Sequence, residues 1–299
     1  MTEGTRGKGM SARAGWSRIE ITPPLGLPMG GRGVRFTPGA SVLDPLEAHV
    51  TYIEDATGSR LLLVSLDLIG LSLGSSILLR NDLSSLTGTP CDAVILNFSH
   101  THSGPMTNID KYATLIPETA AMAAYDLWLQ QTICSAAVVA QKSCVAVTIS
   151  ARNGESWIGI NRRNRDDTGT MGLRPNETGY INPDLGILEL RAEGSTARCL
   201  LFSYGCHPVM VYGYSYDGIS ADWVGRCRPS LTAELGEGTH CQFIQGLAGN
   251  VRPRAVADLD GNAFRKATAR DVESVGDSIA SDIIVTLADQ GEPIDLNLA

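Results

Sequence analysis

The sequence has no run of about 18 apolar residues, so nothing in it reads as a transmembrane helix. Its first residues, MTEGTRGKGMSARAGW, have no apolar centre of the kind a secretory signal needs, and a cytoplasmic location is the expectation. Basic residues are in deficit: 24 Lys+Arg stand against 32 Asp+Glu, for a formal charge of −8. With no Lys/Arg stripe, the electrostatic footprint of a nucleic-acid binder is missing, and an anionic membrane surface is an unfavourable partner. The cysteines (Cys91, Cys134, Cys144, Cys199, Cys206, Cys227 and Cys241) are odd in number and contain no CxxC spacing. That pattern suits scattered reduced thiols rather than a disulfide framework or a cysteine zinc site. Only Cys206, beside His207, is set apart by its position. No G-x-S-x-G elbow is present. The PMGGRG stretch lacks the lysine of a phosphate-binding loop and follows no clear strand.

The 299 residues, 43% hydrophobic and 19% charged, have ordinary globular composition and can bury a sizeable core. Residues 1–14 read as a disordered lead-in, 15–290 as a single α/β domain, and 291–299 as a tail or truncated linker. Residues 21–39 form a Pro/Gly loop that can bring backbone close to a ligand. Apolar runs predict strands over 47–54, 60–69 and 92–99, with a helix over 74–86 between the last two. Strand, helix and strand at this spacing make a βαβ unit. A long helix is expected from Pro117 and Glu118 to about Lys142, then a strand at 144–151. The Asn-, Arg-, Asp- and Gly-rich stretch 153–183 reads as one long loop, a length that usually marks function or mobility. Strands at 185–192 and 198–204 form a hairpin around AEGS. A helix from 221, a strand at 241–247 and a helix over 268–288 complete the chain. The expected fold is α/β, a mixed sheet with βαβ units flanked by helices.

Chemistry concentrates in the histidines. Three of five follow predicted strands, in SHTHSGP (99–105) and YGCHPVM (204–210). In extended chain, residues two apart share a face, so His100 and His102 can point into one space, and strand exits are where α/β sheets bind ligands. Together with His207 they make a plausible metal constellation of neutral imidazoles. The plain alternative is histidines satisfied by loop hydrogen bonds. Asp222, following Ser220 at a helix start, reads as an N-cap or as a carboxylate that orients a histidine ligand. Asp67, in an apolar strand, needs a partner, either a histidine N–H or loop amides. His49 and His240 read as structural.

Several segments, in order, carry a resemblance. They are ITPP…PMGG (21–31), LDP (43–45), VSLDLIG (64–70), NFSHTHSGP (97–105), GINRR (159–163), SYGCHPVM with ISADWVG (203–225), and QGLAGNVRPR (245–254). They resemble the neutral/alkaline ceramidases, zinc-dependent amidases that hydrolyse an N-acyl bond, over residues 17–254. The resemblance implies a zinc hydrolase with His100 and His207 as metal ligands, and with His102 and Arg162 contacting the substrate or the developing oxyanion. Zinc there would lower the pKa of a water to about 7 for attack on an amide carbonyl. It departs from the family at two points. Where the family has a serine near the zinc, this chain has Arg252, which suits a carboxylate or phosphate rather than a lipid chain. The implied substrate is therefore a polar small molecule, with an anionic group suiting Arg252, and Asn250 in the adjoining turn is a second binding candidate. The family also completes its zinc site with a glutamate and a tyrosine from a C-terminal portion beyond this chain. A carboxylate such as Asp222 or Asp67, or a partner subunit, would then have to fill the gap. Two rival readings remain: a non-catalytic, degenerate binding protein that keeps the fold, and an iron or manganese enzyme. These residues are compatible with a homo-oligomer.

Overall fold

The computed structural model describes residues 12–31, 33, 37–107 and 118–298. Strand β1 (Arg13–Glu20), the two-residue β2 (Ser41–Val42), β3 (Glu47–Glu54) and β4 (Arg60–Leu66) precede helix α1 (Leu73–Thr87) and β5 (Val94–Phe98). Helix α2 (Ala120–Lys142) leads into β6 (Val145–Glu155), β7 (Gly159–Arg165), β8 (Met171–Asn176), β9 (Asp184–Ala192) and β10 (Arg198–Tyr204). The short β11 (Gly218–Ile219) is followed by α3 (Asp222–Leu235), β12 (Thr239–Gln245) and β13 (Val251–Pro253). A small pair, β14 (Ala257–Asp258) and β15 (Ala263–Phe264), then α4 (Ala269–Ala288) and β16 (Glu292–Pro293), close the chain.

The main sheet runs β12-β10-β9-β6-β1-β3-β4-β5, with β16 attached to β6. The pairs β4–β5 and β10–β12 are parallel, each joined through a helix, and the other pairs are antiparallel. This is the expected mixed α/β sheet with two βαβ units. Side-chain alternation explains its layering. On β3, Ala48, Val50 and Tyr52 join a core shared with α1 and α2, whereas Ile53 faces the other way. On β10, Leu200, Phe202 and Tyr204 pack with α3 and α4, whereas Cys199 and Leu201 join Ile53. The sheet therefore bends so that its two halves share an inner layer, with one helix pair outside each half. Two polar links cross that layer: Thr51 Oγ1 donates to Gln242 Oε1 (2.6 Å), and Gln242 Nε2 donates to Ser65 Oγ (3.0 Å). Helix α2 lies against β1 at Gly15, where a Cβ would stand only 2.0 Å from the Ala140 carbonyl oxygen.

Three boundaries differ from expectation. Arg13 and Ala14, expected in the lead-in, are already paired in β1, while residues 1–11 lie outside the described residues. Helix α2 opens at Ala120 with Thr119 capping the Met122 amide; Pro117 lies outside the described residues. Residues 291–298, expected as a tail, are bound to the sheet. Glu292 and Pro293 pair with Ala151 and Ser150, Ile294 N donates to Ile149 O, and Leu298 N donates to the Asp55 carboxylate.

The largest correction concerns 153–183. It is no structureless loop: β7 pairs with both β8 and β13 in a three-stranded sheet. Its run Asn161–Arg165 is polar throughout and half-buried or exposed, so the apolar–polar alternation that announces a strand is absent. All seven cysteines are free, as expected. No helix among the described residues is long and apolar enough to cross a membrane.

A buried charge network ties α3 to the opposite half. The Arg228 guanidinium bonds the Asp67 carboxylate, stands 3.4 Å from Glu47 and reaches His49 Nε2 at 3.1 Å. Burial pushes Glu47 upward, but the His49 hydrogen bond and the Arg228 charge outweigh it and hold its pKa at about 2. A depressed carboxylate stabilises the fold above its ordinary pKa of 4.5, and that contribution disappears as pH falls from 4.5 towards 2. Glu47→Gln is expected to flatten the acid limb of a urea-midpoint profile across that window. Arg228→Met, which leaves Asp67 buried and unpaired, is expected to cost about 3–5 kcal/mol at pH 7. An unchanged midpoint would mean that the network carries no stability.

Candidate metal centre

His100 follows β5 and His207 follows β10, two strands whose C-terminal ends meet. Gln245, the last residue of β12, holds them there: its Nε2 donates to Ser99 O and to Cys206 O, both at 3.1 Å. These are the carbonyls immediately before each histidine. Asn97 completes the junction, with its Oδ1 accepting the Gln245 amide at 2.9 Å.

From that frame the imidazoles of His100, His102 and His207 converge. One nitrogen of each lies within 4.8 Å of the others, and ring centroids stand 5.1–5.7 Å apart. The ring orientations have local causes. His100 sits at φ 66°, a left-handed backbone that costs a non-glycine residue roughly 1–3 kcal/mol. Its amide donates to Leu68 O and its Nδ1 lies 3.0 Å from Ile69 O, so the end of VSLDLIG fixes both backbone and ring. His207 Nδ1 lies 2.6 Å from Ala248 O, in the turn after β12. A carbonyl accepts, so each Nδ1 carries the proton and each Nε2 keeps its lone pair for a ligand. Burial first, then the Arg162 charge, lowers the His207 pKa to about 4, which keeps that ring neutral at pH 7.

His102 is located by backbone. Its amide donates to Pro208 O (3.1 Å), and Gly31 of the PMGG loop lies against it. With φ 93° and a would-be Cβ 2.8 Å from His102 Cα, Gly31 is a position where no side chain fits. The SHTHSGP and ISADWVG segments interlock as well. Thr101 Oγ1 donates to Ser220 O, Ser220 N donates to Ser103 O, and Asp44 of the LDP triplet accepts from Ser220 Oγ and Ala221 N.

Arg162 on β7 reaches the cluster. Its Nη2 lies 3.3 Å from His207 Nε2, and its Nε and Nη2 both donate to Gly249 O. Asn250, in the exposed turn before β13, accepts the Arg162 amide on its carbonyl and Arg163 Nε on its Oδ1. Arg252, on β13, lies over Phe264 at 4.7 Å. His100, His102, His207 and Arg162 are thus together, with Asn250 and Arg252 on the adjoining strand and turn.

The two acids lie elsewhere. Asp222 is fully buried and bonds backbone rather than a ring: its Oδ2 accepts from Met210 N and Val211 N, and its Oδ1 from Trp223 N. It braces the chain three residues after His207, and burial raises its pKa to about 6. Ala221 occupies the N-cap position and Asp222 is the first helical residue. Asp67 bonds Arg228 and the Glu47 amide. Burial also pushes the Cys206 thiol far up, so it stays protonated. Sequence reasoning missed Gln245, Asp44 and Tyr212, whose ring lies 6.1 Å from that of His102.

The class these features define is a mixed α/β fold with an imidazole cluster where parallel strands end. Solved structures narrow it. The neutral ceramidase from Pseudomonas aeruginosa matches with a TM-score of 0.78 and 19% identity, over 96% of this chain and 46% of that one. A ceramidase complexed with C2 matches at 0.75 and 18%, over 96% and 45%. The fold is ceramidase-like, and the chain spans less than half the length of these solved proteins. No family model and no curated protein matches it.

Gln245→Ala removes the donor shared by two carbonyls. It is expected to cost about 1–3 kcal/mol and to weaken uptake of an added divalent metal ion in a calorimetric titration. Gly31→Val, whose side chain would press on His102 and on the end of the Ile69 side chain, is expected to weaken uptake less than Gln245→Ala, which frees the backbone before both His100 and His207. Equal uptake by all three proteins would mean that neither position orders the histidines.

Proposed function

We propose that this chain is a zinc-dependent hydrolase of an amide C–N bond, acting on a polar small molecule rather than on ceramide. The observation that carries the proposal is the convergence of three imidazoles, two with Nδ1 anchored on carbonyls and Nε2 turned to a common space. Such a donor set suits a borderline metal such as zinc, with His100 and His207 as ligands and His102 within reach of the same ion. The metal would supply Lewis acidity and a water activated near neutral pH. Everything else falls to the chain. His207 is neutral and ready to bind without losing a proton. His102 and Arg162 flank the cluster and would donate to the oxygen that becomes negative as the carbonyl is attacked. Water adds to the carbonyl carbon, the C–N bond breaks, and the products are a carboxylic acid and an amine. Arg162, Asn250 and Arg252 give the surroundings a polar character that suits a hydrophilic substrate better than an acyl chain.

A second reading has one observation in its favour. Arg162 Nη2 approaches His207 Nε2 at 3.3 Å, the lone pair that a metal would need. A binding protein of the same fold, without metal, would keep that contact.

Elemental analysis of the purified chain beside a His100→Ala/His207→Ala double variant separates the two. About one zinc per chain, absent from the variant, together with amide turnover that disappears in the folded variant, is the expected outcome. Metal-free, well-folded protein that takes up no added zinc would overturn the hydrolase reading in favour of the binding one.

A further inference from the structure

β13 pairs with β7 so that Arg252 stands opposite Ile160. Arg162, two residues along β7 from Ile160, projects from the same face as a diagonal neighbour of Arg252. The junction is close to the histidines, because His207 N donates to Val251 O (3.2 Å), one residue before Arg252. Arg162 and Arg252 therefore share one face of the β7–β13 pair. Their partners are few. Arg252 Nε is buried with no hydrogen-bond partner among the described residues, and Phe264 lies under the guanidinium. Among the described residues, no carboxylate lies within 4.0 Å of Arg162 or Arg252, whereas Arg254, two residues on, pairs with Glu177 at 3.0 Å. Two cations held side by side without an anion repel each other, and planar guanidiniums match a carboxylate two bonds at a time.

We infer that Arg162 and Arg252 hold a carboxylate of the substrate beside the histidine cluster, so that the amide cleaved carries a carboxylate a few bonds from its scissile carbonyl, as in an N-acyl amino acid. The inference rests on the amide-hydrolase reading for what is cleaved, but the carboxylate site itself stands on the two arginines. Arg252 is stacked on Phe264 and leaves its Nε unmatched among the described residues. Arg162, anchored on Gly249 O, would contact both this carboxylate and the reacting end.

The test uses the full chain loaded with zinc and two probes, N-acetylglycine and its methyl ester, which is the same amide without the charge. Calorimetry gives their affinities, and product amine gives turnover. The expected result is at least tenfold tighter binding of the acid, about 1.4 kcal/mol. Arg252→Gln is expected to bring the acid's affinity down to the ester's, and Arg252→Lys to recover part of the difference. Equal affinities in the unsubstituted chain would overturn the carboxylate site, as would an acid preference that survives Arg252→Gln. If that variant does not fold, the comparison of acid with ester decides alone. Hydrolysis of both probes without preference would refute the carboxylate site and leave amide hydrolysis standing. A preference for the acid with no hydrolysis of either would support the site and refute the hydrolase.

Discussion

A single carboxamide holds the centre together. Gln245 spends both N–H donors of its side chain on the carbonyls of Ser99 and Cys206, the residues just before His100 and His207. Those strands, β5 and β10, lie far apart in the order of the sheet and are brought together only because the sheet bends back on itself. A neutral donor suits the task. A charge at this depth would need its own partner, whereas an amide satisfies two buried carbonyls at once. The positions of His100 and His207 follow from that junction.

The bend itself depends on contacts inside the sheet. Thr51, Ser65 and Gln242 meet across the inner layer, and Arg228 crosses from α3 to Asp67 and Glu47 on the other half. Apolar packing supplies the larger share of cohesion but is indifferent to small slips, whereas a buried hydrogen bond or ion pair is satisfied in one register only. The site is built where two strands exit, so a slip of one residue would turn His100 or His207 away from the other.

Much of this could be read from the residues. Apolar runs announced β3, β4, β5, β9 and β10, and the scarcity of histidine made SHTHSGP and YGCHPVM conspicuous. The local signals failed where the cause was distant. In β7 the run Asn161–Arg165 is polar throughout, so it has no period to detect. Asp67 plainly needed a partner, but Arg228 lies 161 residues away and no spacing rule connects them. Gln245 and Asp44 lay within segments noticed for their resemblance, yet a glutamine at a strand end and an aspartate before a proline have many ordinary uses. Their roles appear only when the carbonyls and amides they serve are located in space.

The meeting of β5 and β12 at Asn97 also bears on how molecules behave towards one another. The rim of a sheet is a row of unsatisfied amides and carbonyls on which another chain can template itself, which is the first step of fibril growth. Here β5 and β12 are the two ends of the sheet order, and at the site end each faces the other: Asn97 Oδ1 and Nδ2 take the amide and carbonyl of Gln245 as a neighbouring strand would. The device that gathers the histidines thus removes one end of both rims from circulation, and joins colloidal restraint to the geometry of the site.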